Sequence, residues 1–104
     1  MGSDVNLGAT VAALRGIADQ LDAEADAPPG LVRIIWLKDA AYIAGVSEAQ
    51  MRKRCDSQKY GVHAGGYGCK QGGRRAVVFA PFIASLPVSA LERVNSQNCA
   101  LARV

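Results

Sequence analysis

The 104-residue sequence predicts one small α+β domain, and three observations lead to this prediction. Residues Leu31–Trp36 and 76–79 are runs of apolar, largely β-branched or aromatic residues, which are typical of strands. Helix signals lie on both sides of Gly45. Half of the residues are hydrophobic and 20% are charged, as in chains that bury a core.

Composition excludes several classes of protein. No apolar run approaches the roughly 20 residues of a membrane span, and no basic-then-apolar signal segment opens the chain, so we expect a cytoplasmic protein. Three cysteines without CxxC spacing argue against a disulfide framework. The chain has little room for a deep cleft, so we expect no enzyme activity, no cofactor and no small-molecule substrate.

Charge is distributed unevenly along the chain. Residues 1–30 hold one basic residue against five acidic ones, a net charge of −4, whereas residues 31–104 hold eleven against four, a net charge of +7. Within residues 50–75, seven basic residues accompany only Asp56. Such a module could meet a polyanion, and the alternative is a basic surface that is merely solvated.

Residues 4–26 predict an acidic amphipathic helix that Ser3 or Asp4 can cap. Its apolar residues follow a heptad pattern: Leu7, Val11, Leu14, Ala18 and Leu21. Pro28, Pro29 and Gly30 would end this helix, which makes residues 1–30 a helix with a linker. Two possibilities stay open: the helix docks on its own domain, or it forms a homodimer contact through residues 4–26.

Two helices joined by a tight turn are predicted next, within a domain that spans residues 31–96. The first helix covers residues 38–44 and ends at Gly45. Ser47 and Gln50 fit a capping box, and Val46 and Met51 occupy the positions of a hydrophobic staple, so the second helix covers residues 48–58. This order is typical of a helix-turn-helix unit.

A helical projection separates the two sides of the second helix. Met51, Cys55 and Gln58 lie on one side, with Arg54 projecting toward it, and Ala49, Lys53, Asp56 and Ser57 lie opposite. The outward mixture of donors, acceptors and a small residue suits base edges in a major groove. The candidate reading residues are Ser47, Ala49, Gln50, Arg52, Lys53 and Ser57.

The glycine-rich segment predicts a β-hairpin with a long, basic tip. Six glycines fall within residues 61–73, residues 60–63 would pair with residues 76–79, and Pro81 would end the strand. The tip could grip phosphates or enter a minor groove. Its candidate DNA-binding residues are Lys70, Gln71, Gly72, Gly73, Arg74 and Arg75. A flexible hairpin without a partner is the alternative.

The remaining chain predicts a last helix and a tail. Ser85, Leu86 and Pro87 would start the helix, with Val88, Leu91 and Val94 along one face. Residues 97–104 are expected to be a frayed C-terminal tail.

Five segments in order resemble the Mu-type helix-turn-helix DNA-binding domain, which opens phage Mu transposase and the phage Mu repressor. They are Trp36 to Ala41, the Gly45 turn, Lys59-Tyr60-Gly61, the run from Lys70 to Phe79, and Ser85-Leu86-Pro87-Val88. The resemblance covers about residues 36–95. It implies a winged helix-turn-helix, with an extra N-terminal amphipathic helix, that binds double-stranded DNA.

The resemblance leaves the parent protein open. A Mu-like transposase acting in DNA recombination is the first expectation, and a phage-type repressor or small transcription regulator is the alternative. Both imply a bacterial or phage-infected cell, and any transposase chemistry would lie outside these residues. A third possibility, from a different class, is a protein–protein module that dimerises through the N-terminal helix.

Other candidate sites are weaker. Cys55, His63, Cys69 and Cys99 lack the close pairs of a zinc site, so we expect no metal. Cys69 and His63 lack an orienting third residue, so we expect no catalytic residues. The glycine run lacks GxxxxGK[ST] and precedes a strand, which excludes a P-loop. Trp36 and Tyr42 are expected in the core, Cys69 as an exposed thiol, and Tyr67 on the hairpin.

Overall fold

The computed structural model describes residues 14–19, 21, 30–94 and 99–104, which form an α+β fold. Residues 14–19 and 21 are helical. The elements that follow are β1 (Leu31–Trp36), α1 (Leu37–Ala44), α2 (Glu48–Ser57), β2 (Gly68–Gln71), β3 (Arg74–Val78), α3 (Phe79–Ala84), a 3₁₀ helix (Val88–Arg93) and β4 (Cys99–Arg103).

The four strands form one antiparallel sheet in the order β2-β3-β1-β4. In β1, Ile34 pairs with Val78 on one side, and Ile35 pairs with Cys99 on the other. The Gln71 amide at the end of β2 donates to the carbonyl oxygen of Arg103 at 2.9 Å. Since β3 and β1 separate these strands in the sheet, the sheet curls and brings the end of β4 to β2.

The core lies between the sheet and the helices. Its largest fully buried side chains come from all parts of the domain: Ile34, Ile35, Ile43, Met51, Val77, Val78, Phe79 and Phe82. The predicted β1 strand and the α1–α2 pair are confirmed. Burial of Ile43 and Met51 determines which sides of α1 and α2 face the core, and the opposite sides are exposed.

The turn between α1 and α2 has the predicted form. Gly45 adopts a left-handed conformation with φ +72°, and its N–H donates to carbonyl oxygens of the last turn of α1. Arg93 reaches across from the 3₁₀ helix and donates from Nε to the Ile43 carbonyl oxygen at 3.0 Å. The Val46 N–H also donates to the Ala41 carbonyl oxygen at 3.0 Å, so three groups pair with carbonyl oxygens at the carboxyl end of α1.

The N-terminal helix docks through the edge of its apolar face. Ile17 is buried in the core, whereas Leu14 is 46% exposed and Leu21 is 38% exposed. Docking on the domain is one of the two predicted possibilities. The two heptad leucines remain exposed beside the docked residue. Other parts of that prediction lie outside the described residues: the cap at Ser3 or Asp4, Leu7, Val11 and the break at Pro28-Pro29.

The register predicted for the hairpin is wrong. Residues 60–63 do not pair with β3, because residues 59–66 form a loop closed by Gln58, whose carbonyl oxygen accepts from the N–H groups of Tyr67 and Gly68. Gly68 pairs with Val77 instead, and Gln71 pairs with Arg74. The tip is therefore a two-residue turn of Gly72 and Gly73, both with positive φ.

The end of the chain also differs from the prediction. Phe79 begins α3 rather than ending a strand, and Pro81 lies in the first turn of that helix, where its missing N–H costs little. The last predicted helix is a short 3₁₀ helix. Residues 99–103 form β4 rather than a frayed tail, because pairing with β1 satisfies their backbone.

Candidate nucleic-acid interface

The two sides of α2 are as the projection predicted, except that Gln58, which follows the last residue of the helix, is exposed rather than inward-facing. Met51 and Cys55 are buried, whereas all six candidate residues on or beside this helix are exposed: Ser47, Ala49, Gln50, Arg52, Lys53 and Ser57. Exposed cations that lie on one side of a helix without tertiary partners can contact a polyanion. The Ser57 hydroxyl donates locally to the Arg54 carbonyl oxygen at 3.1 Å.

Ser47 and Gln50 are occupied by the helix start. The Ser47 hydroxyl accepts from the Gln50 N–H at 3.1 Å, and the Gln50 side-chain oxygen accepts from the Ser47 N–H at 3.3 Å. This reciprocal pair is the predicted capping box. Gln50 retains its amide N–H₂ group as a donor, but its oxygen is committed to the backbone.

The β2–β3 hairpin carries the other predicted residues. Gly72 and Gly73 form its turn, Lys70 and Arg74 are exposed, and Arg75 is half-buried. Gln71 is half-buried and bonds the end of β4. These six residues are therefore together, but they occupy two short strands and a tight turn rather than a long tip.

A salt bridge joins the hairpin to α2. The Arg75 guanidinium donates from two nitrogens to the two carboxylate oxygens of Asp56, each at 3.3 Å. A bidentate pair restricts the orientation of both side chains. Since Asp56 lies on the outward side of α2, the bridge holds the hairpin beside that side of the helix.

A close backbone approach explains why the hairpin lies so near to α2. A Cβ atom on Gly68 would overlap the Cys55 carbonyl oxygen and lie 2.7 Å from the Cys55 Cα. Glycine is therefore required at the start of β2. The Cys55 sulfur lies 4.0 Å from the Ala76 carbonyl oxygen, which places α2 against both strands of the hairpin.

Arg74 stacks on Trp36. Its guanidinium carbon lies 4.2 Å from the centroid of the indole ring, which is the geometry of a cation–π contact. Trp36 is half-buried rather than a fully buried core residue, and it directly precedes α1. The contact holds a cation at the hairpin turn without neutralising its charge.

A cleft of about 430 Å³ separates the hairpin turn from the first turns of α2. Trp36, Gly73 and Arg74 form one side of it, and Glu48 and Arg52 form the other. Lys38 and Arg75 also line it, so cations outnumber the single carboxylate among its lining residues. The cleft places Arg52 of α2 and Arg74 of the hairpin along one surface.

A second cleft, of about 440 Å³, lies between the last turn of α2, the outer edge of β2 and the end of β4. Four cations line it, with Asp56 as the accompanying acid: Lys59, Lys70, Arg75 and Arg103. Arg75 and its partner Asp56 stand between the two clefts, since Arg75 lines both. The basic surface therefore continues past the hairpin.

The cysteines do not suggest chemistry at this surface. Burial raises the pKa of the Cys55 thiol to about 11, with nearby Cys69 and Asp56 adding to the shift and Arg75 opposing it. Cys69 lies half-buried in β2 instead of on an exposed loop, and burial raises its pKa as well. Within the described ranges, no group of three or more His, Cys, Asp or Glu residues could hold a metal ion.

Two further side chains differ from the sequence-based expectation. Tyr42 is 65% exposed on α1 and is not a core residue. Tyr67 is buried and packs edge-on against Phe82, with ring centroids 5.4 Å apart, so it is not on the hairpin surface. Arg54 is exposed, as a charged residue that projects toward the inner side of a helix must be. The sequence pattern around Tyr42 and Tyr67 could not predict which of the two is buried, because that depends on the elements that pack against them.

Two further findings concern the protein beyond this surface. Among them, no helix is long and apolar enough to cross a membrane. When the chain is compared with models of protein families, with curated proteins and with solved structures, no match is found.

Proposed function

We propose that this chain binds double-stranded DNA with sequence preference, with α2 in the major groove and the β2–β3 hairpin on the backbone or in the adjacent minor groove. One observation carries the proposal: Arg52 of α2 and Arg74 of the hairpin turn face each other across one basic cleft. The close approach of Gly68 to the Cys55 backbone keeps the hairpin beside α2. A duplex is the polyanion whose groove and backbone such a pair can contact together.

The order of elements supports a winged helix-turn-helix. A helix precedes β1, the α1–α2 pair follows, and the β2–β3 hairpin then joins β1 through β3. Gly45 and the capping box fix the turn and the start of the helix that we assign to recognition. Gly72 and Gly73 end the hairpin without side chains, so its turn can approach a sugar–phosphate backbone closely.

The candidate residues divide into two roles. On α2, Arg52 and Lys53 suit guanine edges, and Ala49 suits a thymine methyl group. On the hairpin, Lys70 and Arg74 suit phosphates, which position the protein without reading sequence. Arg75 is already paired with Asp56, so we assign it to holding the hairpin rather than to contacting DNA.

The decisive experiment is selection of bound duplexes from a random library, followed by anisotropy titrations of the selected and a scrambled duplex. We expect an enriched motif and an affinity that falls steeply with salt. Four phosphate contacts would give a slope of about −4 in a log–log plot. An affinity that is independent of salt, or no binding, contradicts the proposal.

The biological setting follows from the resemblance to the Mu-type domain. We propose the N-terminal recognition domain of a Mu-like transposase, with a phage-type repressor as the alternative. In either case this chain supplies recognition and no catalysis, in the cytoplasm of a bacterial or phage-infected cell. The complete open reading frame distinguishes them, because a transposase requires a catalytic domain.

A second candidate function is self-association through the N-terminal helix. The exposure of Leu14 and Leu21 beside the docked Ile17 supports it, since exposed leucines at heptad spacing can pack against a second copy. Sedimentation of the chain and of a Leu14→Glu, Leu21→Glu double variant tests it. A dimer that the double variant abolishes supports the contact, and a monomeric wild-type chain contradicts it.

A further inference from the structure

We propose that the cleft between the hairpin turn and α2 is a phosphodiester-binding site, in which Trp36 holds the Arg74 guanidinium ready to receive one backbone phosphate of the duplex. This inference rests on the proposed function. It adds Trp36 and Lys38 to the residues that act in binding, and it gives Arg74 a specific ligand.

The position of the Arg74 guanidinium over the Trp36 ring leaves its N–H donors available. A guanidinium that lies on an aromatic ring uses its face for the contact, while its N–H groups point outward in the guanidinium plane. Within the described residues, the Arg74 guanidinium has no hydrogen-bond or ion-pair partner, and its one aromatic contact is with the Trp36 ring. Arginine forks match phosphate oxygens in a bidentate manner, so a held and unpaired fork is suited to a phosphodiester.

The other groups at the cleft favour the same ligand. Lys38 and Arg52 line it from α1 and α2, and Glu48 is the one carboxylate among the lining residues. α1 begins directly after Trp36, and no side chain caps that start. Arg75 contributes less because Asp56 pairs with it.

The position of the cleft favours a duplex phosphate over a small anion. It is open along its length and lies between the two elements that we place on DNA, rather than in the interior. Binding one phosphate here would fix the distance between the α2 contacts and the hairpin contacts. Trp36 thereby becomes a positioning residue, since it acts by holding Arg74.

Trp36 is the only tryptophan in the chain, so its fluorescence reports on this cleft alone. We would titrate the full chain with the selected duplex, with a scrambled duplex and with inorganic phosphate at constant ionic strength. Emission should change with both duplexes at the midpoint measured by anisotropy. Phosphate alone should bind far more weakly. Binding of phosphate as tight as that of duplex would overturn the assignment to DNA.

Two charge-removing variants distinguish a specific role of Arg74 at the cleft from a general effect of positive charge. Arg74→Gln should remove the emission change and weaken both duplexes about fivefold to tenfold, with the salt slope reduced by about one. Arg15→Gln removes the same charge from the exposed side of the N-terminal helix and should change affinity less than twofold. Equal effects of the two variants overturn the proposal.

Substitutions of Trp36 test the role of the indole ring without changing the charge of the chain. Trp36→Leu should weaken duplex binding about fivefold, and Trp36→Phe should retain most of the affinity because a phenyl ring also accepts a cation. Circular dichroism checks that both variants fold. If Trp36→Leu does not fold, the affinity of Trp36→Phe still tests the inference. If duplex binds and neither the emission nor these variants respond, this inference fails alone. If no variant and no wild-type chain binds duplex, the proposed function fails with it.

Discussion

Arg75 on β3 and Asp56 on α2 form the bidentate salt bridge that joins the hairpin to the helix, with both N–O distances at 3.3 Å. Asp56 is 53% exposed and Arg75 is 29% exposed, so solvent screens the pair and its contribution to stability is small. Its main consequence is electrostatic. It neutralises one cation at the centre of a basic surface and orients the hairpin beside α2.

The packing of Gly68 and Ala76 against Cys55 keeps the hairpin beside α2 without this bridge. Replacing Asp56 should therefore strengthen duplex binding rather than weaken it. Asp56→Asn removes a negative charge and releases Arg75 for a phosphate, so affinity for every duplex should rise and the salt slope should steepen by about one. Anisotropy at several salt concentrations measures both quantities. Asp19→Asn is the charge-matched control on the N-terminal helix, and an equal gain in that variant would show a general charge effect.

Residues of α2 and of the hairpin should differ in their effect on sequence preference. Lys53→Ala should narrow the gap between the selected and scrambled duplexes by about 1–3 kcal/mol, because it removes a contact to a base edge. Lys70→Ala should weaken both duplexes equally, because it removes a phosphate contact. Competition binding with the two duplexes compares them. Identical profiles for the two variants would contradict the assigned roles.

Gly68 should tolerate no side chain. Gly68→Ala places a Cβ against the Cys55 backbone, where backbone atoms rather than a flexible side chain must move. We expect a loss of about 1–3 kcal/mol in the free energy of unfolding, measured by urea denaturation. The hairpin would also separate from α2, so duplex affinity should fall. Unchanged stability would mean that this close approach does not occur in solution.

Gly45 and Gly16 provide a matched pair of substitutions. Gly45→Ala forces a Cβ into the left-handed region and to 3.0 Å from Arg93, so we expect a loss of about 1–2 kcal/mol. A Cβ atom on Gly16 of the N-terminal helix would meet nothing within 4 Å, so Gly16→Ala should stabilise the chain by up to about 1 kcal/mol. Thermal unfolding of both variants checks these opposite signs.

Cys55 should make stability depend on alkaline pH. Its pKa is raised from 9.0 to about 11 by burial, so the folded state holds its proton more tightly than the unfolded chain. The stabilisation is complete below pH 9 and is lost as the pH rises toward 11. Urea unfolding at about pH 8 and about pH 10.5 should show a smaller difference in Cys55→Ala than in the wild-type chain, although the cavity lowers stability at both pH values. An equal difference in the two chains would contradict this role for Cys55.

The sequence by itself determined the local features of the α1–turn–α2 unit. The Gly45 end, the capping box of Ser47 and Gln50, and the inward side of α2 depend on contacts between residues three to four apart, and helical periodicity expresses such contacts directly. Strand β1 is also recognisable from local sequence, because its run of apolar, β-branched residues favours a buried strand whichever strands it pairs with.

Only the tertiary structure decided how the other elements meet. The hairpin register, the pairing of β4, the burial of Tyr67 and the exposure of Tyr42 depend on partners far away in the chain. The same holds for the contacts that shape the basic surface, which join Arg75 to Asp56 and Arg74 to Trp36 across long stretches of the sequence. Composition places the cations in one region of the chain, but packing of the hairpin against α2 is what brings them to two adjoining clefts.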